Sequence, residues 1–349
     1  MADQELDLQA DQLSNAPLPE QSAHLFGHQG QLEQLLHAYD SHKLHHAFLI
    51  AGPKGIGKAT FAYHVAQQLF AKSGDEPLER IQDQIRQGSF PNLKVIRRQK
   101  NPKTGKFAAQ ISVNDVRQAV KFFQTSAART GVRICIVDCV DDLNANAANA
   151  LLKTLEEPPQ NAIFLLVTHR VGGVLPTIRS RCNLLPLKPV SDEDVRGVVE
   201  TAGLHLGADE FTQILTIAKG RPRKAFEALE VADNPALSAL FAWLEAPDQH
   251  SETAMLELAA ALADPKAEQV WQLAIEMIDN HVAAIAKYLS AQEAPRALLA
   301  KALSVWEKTQ ELVVEQAIFN LDKKQTITMV LEHIRMLNQA AMMNEHQTV

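Results

Sequence analysis

A glycine-rich turn early in the chain has the residue types that can hold a phosphate group. Its sequence, Gly-Pro-Lys-Gly-Ile-Gly-Lys-Ala-Thr, fits the pattern Gly-x4-Gly-Lys-[Ser/Thr] at Gly52, Gly57 and Lys58. In such a turn, backbone N–H groups converge on a phosphate, the next helix adds positive potential at its N-terminus, and the lysine reaches the terminal phosphates. The candidate nucleotide-binding residues of the turn are Gly52, Gly55, Gly57, Lys58, Ala59 and Thr60.

The turn departs from the pattern where a magnesium ligand is needed. Ala59 has no hydroxyl at the position where Ser or Thr would bind Mg²⁺. Thr60 lies one step later, about 100° further round a helix. The predicted chemistry is phosphate binding with one metal ligand missing. The alternative is a plain glycine-rich turn between a strand and a helix.

A carboxylate at the end of a predicted buried strand could complete this site. Asp138 follows the apolar run Val132–Val137, and strand ends of an open parallel sheet face the ligand crevice. An Asp there can hold Mg²⁺, often through water. The next residue is Cys139, which cannot orient an attacking water as a second carboxylate would. The alternative role for Asp138 is that of a turn residue or helix cap.

Alternating strands and helices must position these residues. Apolar runs predict strands at 48–51, 93–97, 132–137, 162–167 and 184–187, and helical periodicity predicts helices between them. This alternation is typical of an α/β core with a parallel sheet. From Ser191 onward, only helices are predicted, and Ser191 is the expected N-cap of the first.

The chain therefore divides into four predicted regions. Residues 1–22 are polar, acidic and interrupted by prolines, so we expect a mostly disordered arm. Residues 23–188 form the α/β core, 189–233 a small helical lid, and 234–349 an all-α domain. The last region has amphipathic helices and no catalytic constellation, so its expected role is packing or oligomerisation.

Composition narrows the class of protein. The net charge is −7 over 349 residues, and residues 1–42 hold seven acids and no Lys or Arg. The remaining chain is balanced, which gives no strong electrostatic footprint for nucleic acid. No apolar run has the length of a membrane span and no basic leader is present, so we expect a cytoplasmic protein. The three cysteines lack CxxC spacing, which argues against a disulfide framework or a zinc site.

One basic run is a candidate for contact with DNA. Turn-forming residues at 101–105 predict a basic hairpin tip there. A solvated loop is the favoured interpretation, and a contact with the phosphate backbone is the sharper alternative. The candidate residues are Lys94, Arg97, Arg98, Lys100 and Lys103.

Two later motifs resemble the signature of bacterial sliding-clamp loaders, which are members of the AAA+ superfamily. One is Asn-Ala-Leu-Leu-Lys-Thr-Leu-Glu-Glu-Pro-Pro at 149–159, and the other is Ser180-Arg181-Cys182. The resemblance extends from about Leu25 to Leu229. It implies a P-loop AAA+ core with a parallel sheet, a small helical lid and an all-α collar domain.

Within that family the chain looks most like the delta-prime branch. The motor branch, tau and gamma, carries an intact phosphate loop, an Asp-Glu pair and four zinc-binding cysteines. This chain has Ala59, Cys139 and no cysteine in residues 61–134. The resemblance therefore implies a subunit without ATPase activity of its own, without zinc, and with at most weak binding of ATP or ADP with magnesium.

The resemblance also implies roles for particular residues. Arg181 would be an arginine finger in trans, acting on ATP held by a neighbouring subunit. Thr168 would correspond to the γ-phosphate sensor and Arg223 to the lid arginine of the second sensor, while Lys58 and Asp138 could still hold a nucleotide. The alternatives are a surface arginine for Arg181, a strand terminus for Thr168 and a structural ion pair for Arg223.

The partners implied are the delta and tau or gamma subunits, with the sliding clamp and primed DNA in the assembled complex. The chain would then be a component of a DNA-directed DNA polymerase holoenzyme, with no polymerase chemistry of its own and no membrane contact. Two alternatives stay open: a catalytic clamp-loader ATPase with an unusual site, and a scaffold that binds ATP without hydrolysing it.

Overall fold

The chain forms two compact units, each described here by itself. The computed structural model describes residues 9–13, 15–74, 76–100, 106–124, 131–230, 234–292 and 294–345. The first unit is Met1–Gly207 with Ala218–Phe226, and the second is Ala208–Ile217 with Glu227–Val349. The boundaries predicted at 188 and 233 divide the chain by sequence pattern and remain predictions.

A parallel sheet forms the centre of the first unit. Its strand order is β2-β3-β4-β1-β5, and every neighbouring pair is parallel. The predicted α/β core with a parallel sheet is confirmed, and the predicted strand bounds agree with the structure to within a residue. The strands are β1 (Ala47–Ala51), β2 (Leu93–Arg97), β3 (Arg133–Asp138), β4 (Ala162–Thr168) and β5 (Asn183–Pro186).

Helices cover both faces of this sheet. On β3, Ile134 and Ile136 join one buried cluster, while Cys135 and Val137 join the other. Such burial on both faces explains why the strand is continuously apolar instead of alternating. The helices of the first unit are α1 (Gln29–Asp40), α2 (Lys58–Ser73), α3 (Leu78–Arg86), α4 (Val113–Gln124), α5 (Ala145–Glu156), α6 (Pro176–Arg179) and α7 (Asp192–Thr201).

Side-chain caps fix the ends of two of these helices. Asn144 accepts a hydrogen bond from the Ala147 N–H at 2.9 Å and starts α5. Ser191 caps α7 as predicted, and its hydroxyl and backbone N–H both bond the Asp194 carboxylate. Because Pro158 cannot continue a helix, α5 ends just before it, which sets the position of Glu156.

The second unit is built from helices, as predicted. The side chains of Leu240, Trp243, Ile278 and Leu331 lie in one buried cluster. None of the helices that the structure describes is both long enough and apolar enough to cross a membrane. The helices from residue 208 onward are α8 (Ala208–Ala218), α9 (Pro222–Glu230), α10 (Pro235–Glu245), α11 (Glu252–Leu262), α12 (Glu268–Ala291), α13 (Arg296–Phe319) and α14 (Lys323–Glu345).

Candidate functional site

The glycine-rich turn joins β1 to α2 at the carboxyl edge of the sheet, between β4 and β5. Gly57 has φ 91° and stands immediately before α2, a conformation that favours glycine. At Gly52, a Cβ atom would lie 2.4 Å from the carbonyl oxygen of Leu187. Backbone geometry therefore accounts for both glycines of the pattern. The turn leads from a strand into a helix, as expected of a phosphate loop.

The lysine of the loop is turned onto the loop itself. Lys58 Nζ donates to the carbonyl oxygens of Gly52, at 2.7 Å, and Pro53, at 2.6 Å. Burial lowers the pKa of Lys58 to about 8, against the opposing attraction of the Asp138 carboxylate. The ammonium group is thus satisfied by backbone oxygens of its own turn.

Asp138 lies at the end of β3, paired in register with Arg97 at the end of β2. Burial raises the pKa of Asp138 to about 6, although Arg97 and Lys58 act to lower it. Burial also raises the pKa of the neighbouring Cys139 thiol, which therefore stays protonated. Asp138 is therefore followed by a protonated thiol instead of by a second carboxylate.

Thr168 is the last residue of β4, His169 follows it, and Asp141 bonds both residues. Thr168 is fully buried, and the His169 N–H donates to the Asp141 carboxylate at 2.9 Å. Burial by itself would raise the pKa of Asp141, but hydrogen bonds from His169 and Thr168 outweigh it and lower the value. The hydroxyl of Thr168, the predicted sensor, therefore bonds a carboxylate of the same chain, and His169 rather than Thr168 lines the cavity over the phosphate loop.

His169 was not selected from the sequence. Burial, with Lys58 nearby, lowers its pKa to about 4, so the ring is neutral near pH 7. Among the described residues, no hydrogen-bond partner of its buried Nδ1 atom is found. The strand-end rule that selected Asp138 also applies to the residues at the end of β4, and it could have found His169.

Arg223 contacts the phosphate loop through its backbone. Its N–H donates to the carbonyl oxygen of Gly55 at 3.2 Å. A Cβ on Gly55, which has φ 90°, would lie 2.8 Å from the Cβ of Arg223. The guanidinium group donates to the backbone carbonyl oxygen of Asp11. The structure thus brings the predicted lid arginine to the loop and joins it to the N-terminal region.

The expectation of a mostly disordered arm at 1–22 is wrong for the described residues 9–13 and 15–22. Residues 9–22, apart from residue 14, are described, and they include a short 3-10 turn at Pro19–Gln21. Leu13 and Leu18 are both buried. Ordering a segment costs conformational entropy, and the polar composition suggested that nothing would offset this cost. The burial of these two leucine side chains offsets it. Residues 1–8 lie outside the described residues.

Two arginines of the basic run form ion pairs with carboxylates of the same chain. Arg97 pairs with Glu20 at 3.2 Å, and Arg98 pairs with Asp11 at 3.0 Å and Asp142 at 3.1 Å. Both arginines line the cavity over the phosphate loop, so the DNA hypothesis is not supported for them. Lys94 lies on β2, Lys100 bridges Phe107 at the base of the predicted hairpin, and Lys103 lies outside the described residues.

Arg181 lies outside that cavity, between α6 and β5. Its Nη2 atom is 2.8 Å from the Glu156 carboxylate, and Nη1 donates to the Thr177 carbonyl and the Ser180 hydroxyl. Its side chain keeps 37% of its surface exposed. The two sequence motifs therefore meet in one ion pair, which presents a cation at the surface of the unit.

The residues around the phosphate loop do not fit a magnesium nucleotide. Ala59 supplies no hydroxyl, and Asp11 already contacts two of the cations beside the loop. In the described part of the chain, no cluster of three or more His, Cys, Asp and Glu side chains could hold a metal ion. Phosphoryl chemistry is therefore not assigned to this loop.

Comparison with known proteins gives a consistent set of relatives. Residues 27–191 match the family model described as DNA polymerase III, delta subunit. The chain is 36% identical over 141 residues to DNA polymerase III subunit delta' of Pseudomonas aeruginosa, covering 39% of this chain and 41% of that one. It is 29% identical over 167 residues to the delta' subunit of Bacillus subtilis, covering 47% and 48%.

A third relative belongs to the gamma subunits. The chain is 28% identical over 222 residues to DNA polymerase III subunit gamma of Buchnera aphidicola, covering 61% of this chain and 59% of that one. In each of these three relatives, the matched part is less than two thirds of the relative's own length. The resemblance predicted from the two motifs is confirmed over the α/β core.

Proposed function

We propose that the chain is a delta-prime type subunit of a clamp loader, because residues 27–191 match the family model described as DNA polymerase III, delta subunit. In this role it hydrolyses no ATP itself. It assembles with delta and with tau or gamma subunits in the cytoplasm, and helps to load a sliding clamp onto primed DNA.

The observation that carries the proposal is the contrast between Arg181 and the chain's own phosphate loop. The loop has Ala59 in place of the magnesium-binding hydroxyl and Cys139 in place of a second acid. Arg181 is held by Glu156 at the surface and does not line the loop's cavity. From this position, Arg181 does not reach a phosphate group bound at the loop of its own subunit.

Arg181 then acts on ATP bound by a neighbouring motor subunit. As the γ-phosphoryl group is transferred to water, negative charge is spread over its oxygens, and a guanidinium group can bind two of them at once. An arginine finger of this kind raises the rate by about 10³–10⁵. The chain's own residues hold that guanidinium group and perform no bond-breaking step.

The test is reconstitution of the loader with delta, motor subunit, clamp and primed DNA. Arg181→Ala is expected to leave assembly intact and to slow ATP hydrolysis by about 10³ at the site that it serves. Arg179→Ala is the matched control, because Arg179 is an exposed arginine two residues earlier. Unchanged turnover with Arg181→Ala in a fully assembled complex would contradict the proposal.

The motor alternative has a direct test of its own. The isolated chain is expected to show no ATP hydrolysis above that of a Lys58→Ala variant, since Lys58 is the loop residue that would reach the terminal phosphates. Hydrolysis that depends on Lys58 would identify the chain as a catalytic subunit instead.

A further inference from the structure

An acidic segment of the chain lies over the phosphate loop. We use this name for residues 9–13 and 15–22, of which 9–13, 16–19 and 22 line the cavity above the loop together with residues of the loop itself. Leu13 and Leu18 anchor the segment by burial, and the Asn15 side-chain amide donates to the carbonyl oxygen of Phe226 at 2.9 Å. These contacts fix the segment's position independently of its charges.

Asp11 is the residue of the segment that meets the cations beside the loop. Its carboxylate lies 3.3 Å from Lys54 Nζ and 3.0 Å from Arg98 Nη2, and its backbone carbonyl accepts from Arg223. Lys54 belongs to the loop, and Arg223 packs against Gly55 of the loop. Asp11 thus binds three cations that all line the cavity over the phosphate loop.

A second acid of the segment repeats this arrangement. Glu20 is buried and lies 3.2 Å from Arg97, while the Gln9 side chain donates to the same carboxylate. Arg97 is the residue paired with Asp138 at the strand ends. Both acids of the segment therefore neutralise arginines at the end of β2, next to the phosphate loop.

We propose that the acidic segment is an intramolecular ligand of the phosphate loop, which holds the Asp11 carboxylate in place of a nucleotide phosphate. The segment and a nucleotide exclude each other for two reasons. They need the same cations, and a triphosphate brought beside Asp11 and Glu20 would meet like charges in a partly buried site.

The proposal gives a role to Asp11 and Glu20, which are two of the seven acids in the first 42 residues. The first 42 residues contain acids and no Lys or Arg, although the rest is balanced. Although the loop lacks its magnesium ligand, Lys54, Arg98 and Arg223 still place positive charge beside it. A carboxylate of the same chain neutralises this charge at a high effective concentration. The inference goes beyond the role of Arg181 and does not depend on it.

The test measures nucleotide binding by the full chain and by variants, with a fluorescent ADP analogue as probe. Asp11→Asn combined with Glu20→Gln is expected to lower the Kd for the probe at least about tenfold, as the cations are released from the segment. Asp40→Asn is the matched control, because Asp40 pairs with the exposed Lys72 at 2.8 Å, away from the lining of the cavity. It is expected to leave the Kd unchanged.

Two further measurements make the result specific. A chain lacking residues 1–21 is expected to bind the probe as the double variant does, and a peptide of residues 9–22 added in trans is expected to displace the probe. Lys54→Ala in the double variant is expected to abolish the gain. Circular dichroism of each variant verifies that the fold is retained, and the double variant alone decides the matter where the deletion fails to fold.

Either of two outcomes would overturn the proposal. One is tight binding of the probe by the unmodified chain, and the other is the same weak binding by the folded double variant and the unmodified chain. Because the titration uses the isolated chain, its failure leaves the role of Arg181 in the assembled loader untouched, and the reverse also holds.

Discussion

The guanidinium group of Arg181 lies 2.8 Å from the carboxylate of Glu156. Glu156 is the last residue of α5, and Arg181 follows α6 by two residues. The end of α5 is set by Pro158, so the position of the carboxylate follows from a helix stop. The ion pair is partly exposed and therefore contributes little to stability, which makes orientation of the arginine its main consequence.

Loss of Glu156 should therefore affect hydrolysis more than folding. In the reconstituted loader, Glu156→Gln is expected to reduce ATP turnover by less than Arg181→Ala does, because the arginine remains but is held less firmly. The free energy of unfolding is expected to change by no more than about 1 kcal/mol. Glu157→Gln changes the adjacent exposed residue and serves as control. Equal turnover in the two glutamine variants would show that Glu156 does not orient the finger.

The carboxyl of Asp138 should make stability depend on pH. Its pKa rises from 3.8 to about 6 on folding, so the folded chain binds this proton more tightly than the unfolded chain. The stabilisation is present at low pH and is lost as the pH rises through about 6. Asp138→Asn removes this loss, so the variant is expected to be more stable than the parent at pH 8 by about 1–3 kcal/mol.

Denaturant unfolding at pH 4 and pH 8 verifies the effect of Asp138. The gain should be largely absent at pH 4, where most of the carboxyl is protonated in the folded parent. A gain of the same size at both values would assign it to packing rather than to ionisation.

His169 should act in the opposite direction over a similar range. Its pKa falls from 6.5 to about 4 on folding, so the unfolded chain binds the proton more tightly. Stability from this group is present above pH 6.5 and is lost as the pH falls toward 4. Replacing His169 by Gln should flatten this part of the pH profile. The measurement is unfolding free energy at half-unit pH steps, and a variant profile parallel to that of the parent would contradict the assignment.

A substitution at Gly55 should strain the loop. Its φ of 90° disfavours a side chain, and a Cβ would lie 2.8 Å from that of Arg223. Gly55→Ala is expected to cost about 1–3 kcal/mol. Gly172→Ala is the matched control, since nothing lies within 4 Å of the added atom and its φ is not in the left-handed region. Comparable stability of the two variants in thermal unfolding would show that the loop adapts without strain.

Much of the α/β core could be predicted from the sequence. The buried strands are continuously apolar and end at polar residues, such as Asp138 and Thr168, so their bounds are encoded locally. The caps at Ser191 and the stop at Pro158 are equally local. The packing of the helices in the last third of the chain could not be predicted, because amphipathic periodicity does not say which helices pack together.

The candidate site could be predicted only in part. The pattern located Lys58 but did not indicate that its ammonium would bond Gly52 and Pro53. It selected Arg97 and Arg98 as candidates for DNA contact, whereas both bind carboxylates over the loop. Side-chain partners that are far apart in the chain leave no periodic signal, so spacing rules cannot find them.

The sequence by itself determined that this chain has a phosphate loop without its magnesium hydroxyl, and an arginine in a motif shared with clamp loaders. Both follow from residue types at fixed local spacing. Only the tertiary structure decided which carboxylates contact the cations beside the loop and the arginine of the motif. Asp11 reaches Arg98 across 87 positions, and Glu156 reaches Arg181 across 25. Such contacts depend on how the sheet and its helices bring distant segments of the chain together. This packing is determined by burial of the whole core rather than by any short stretch of residues.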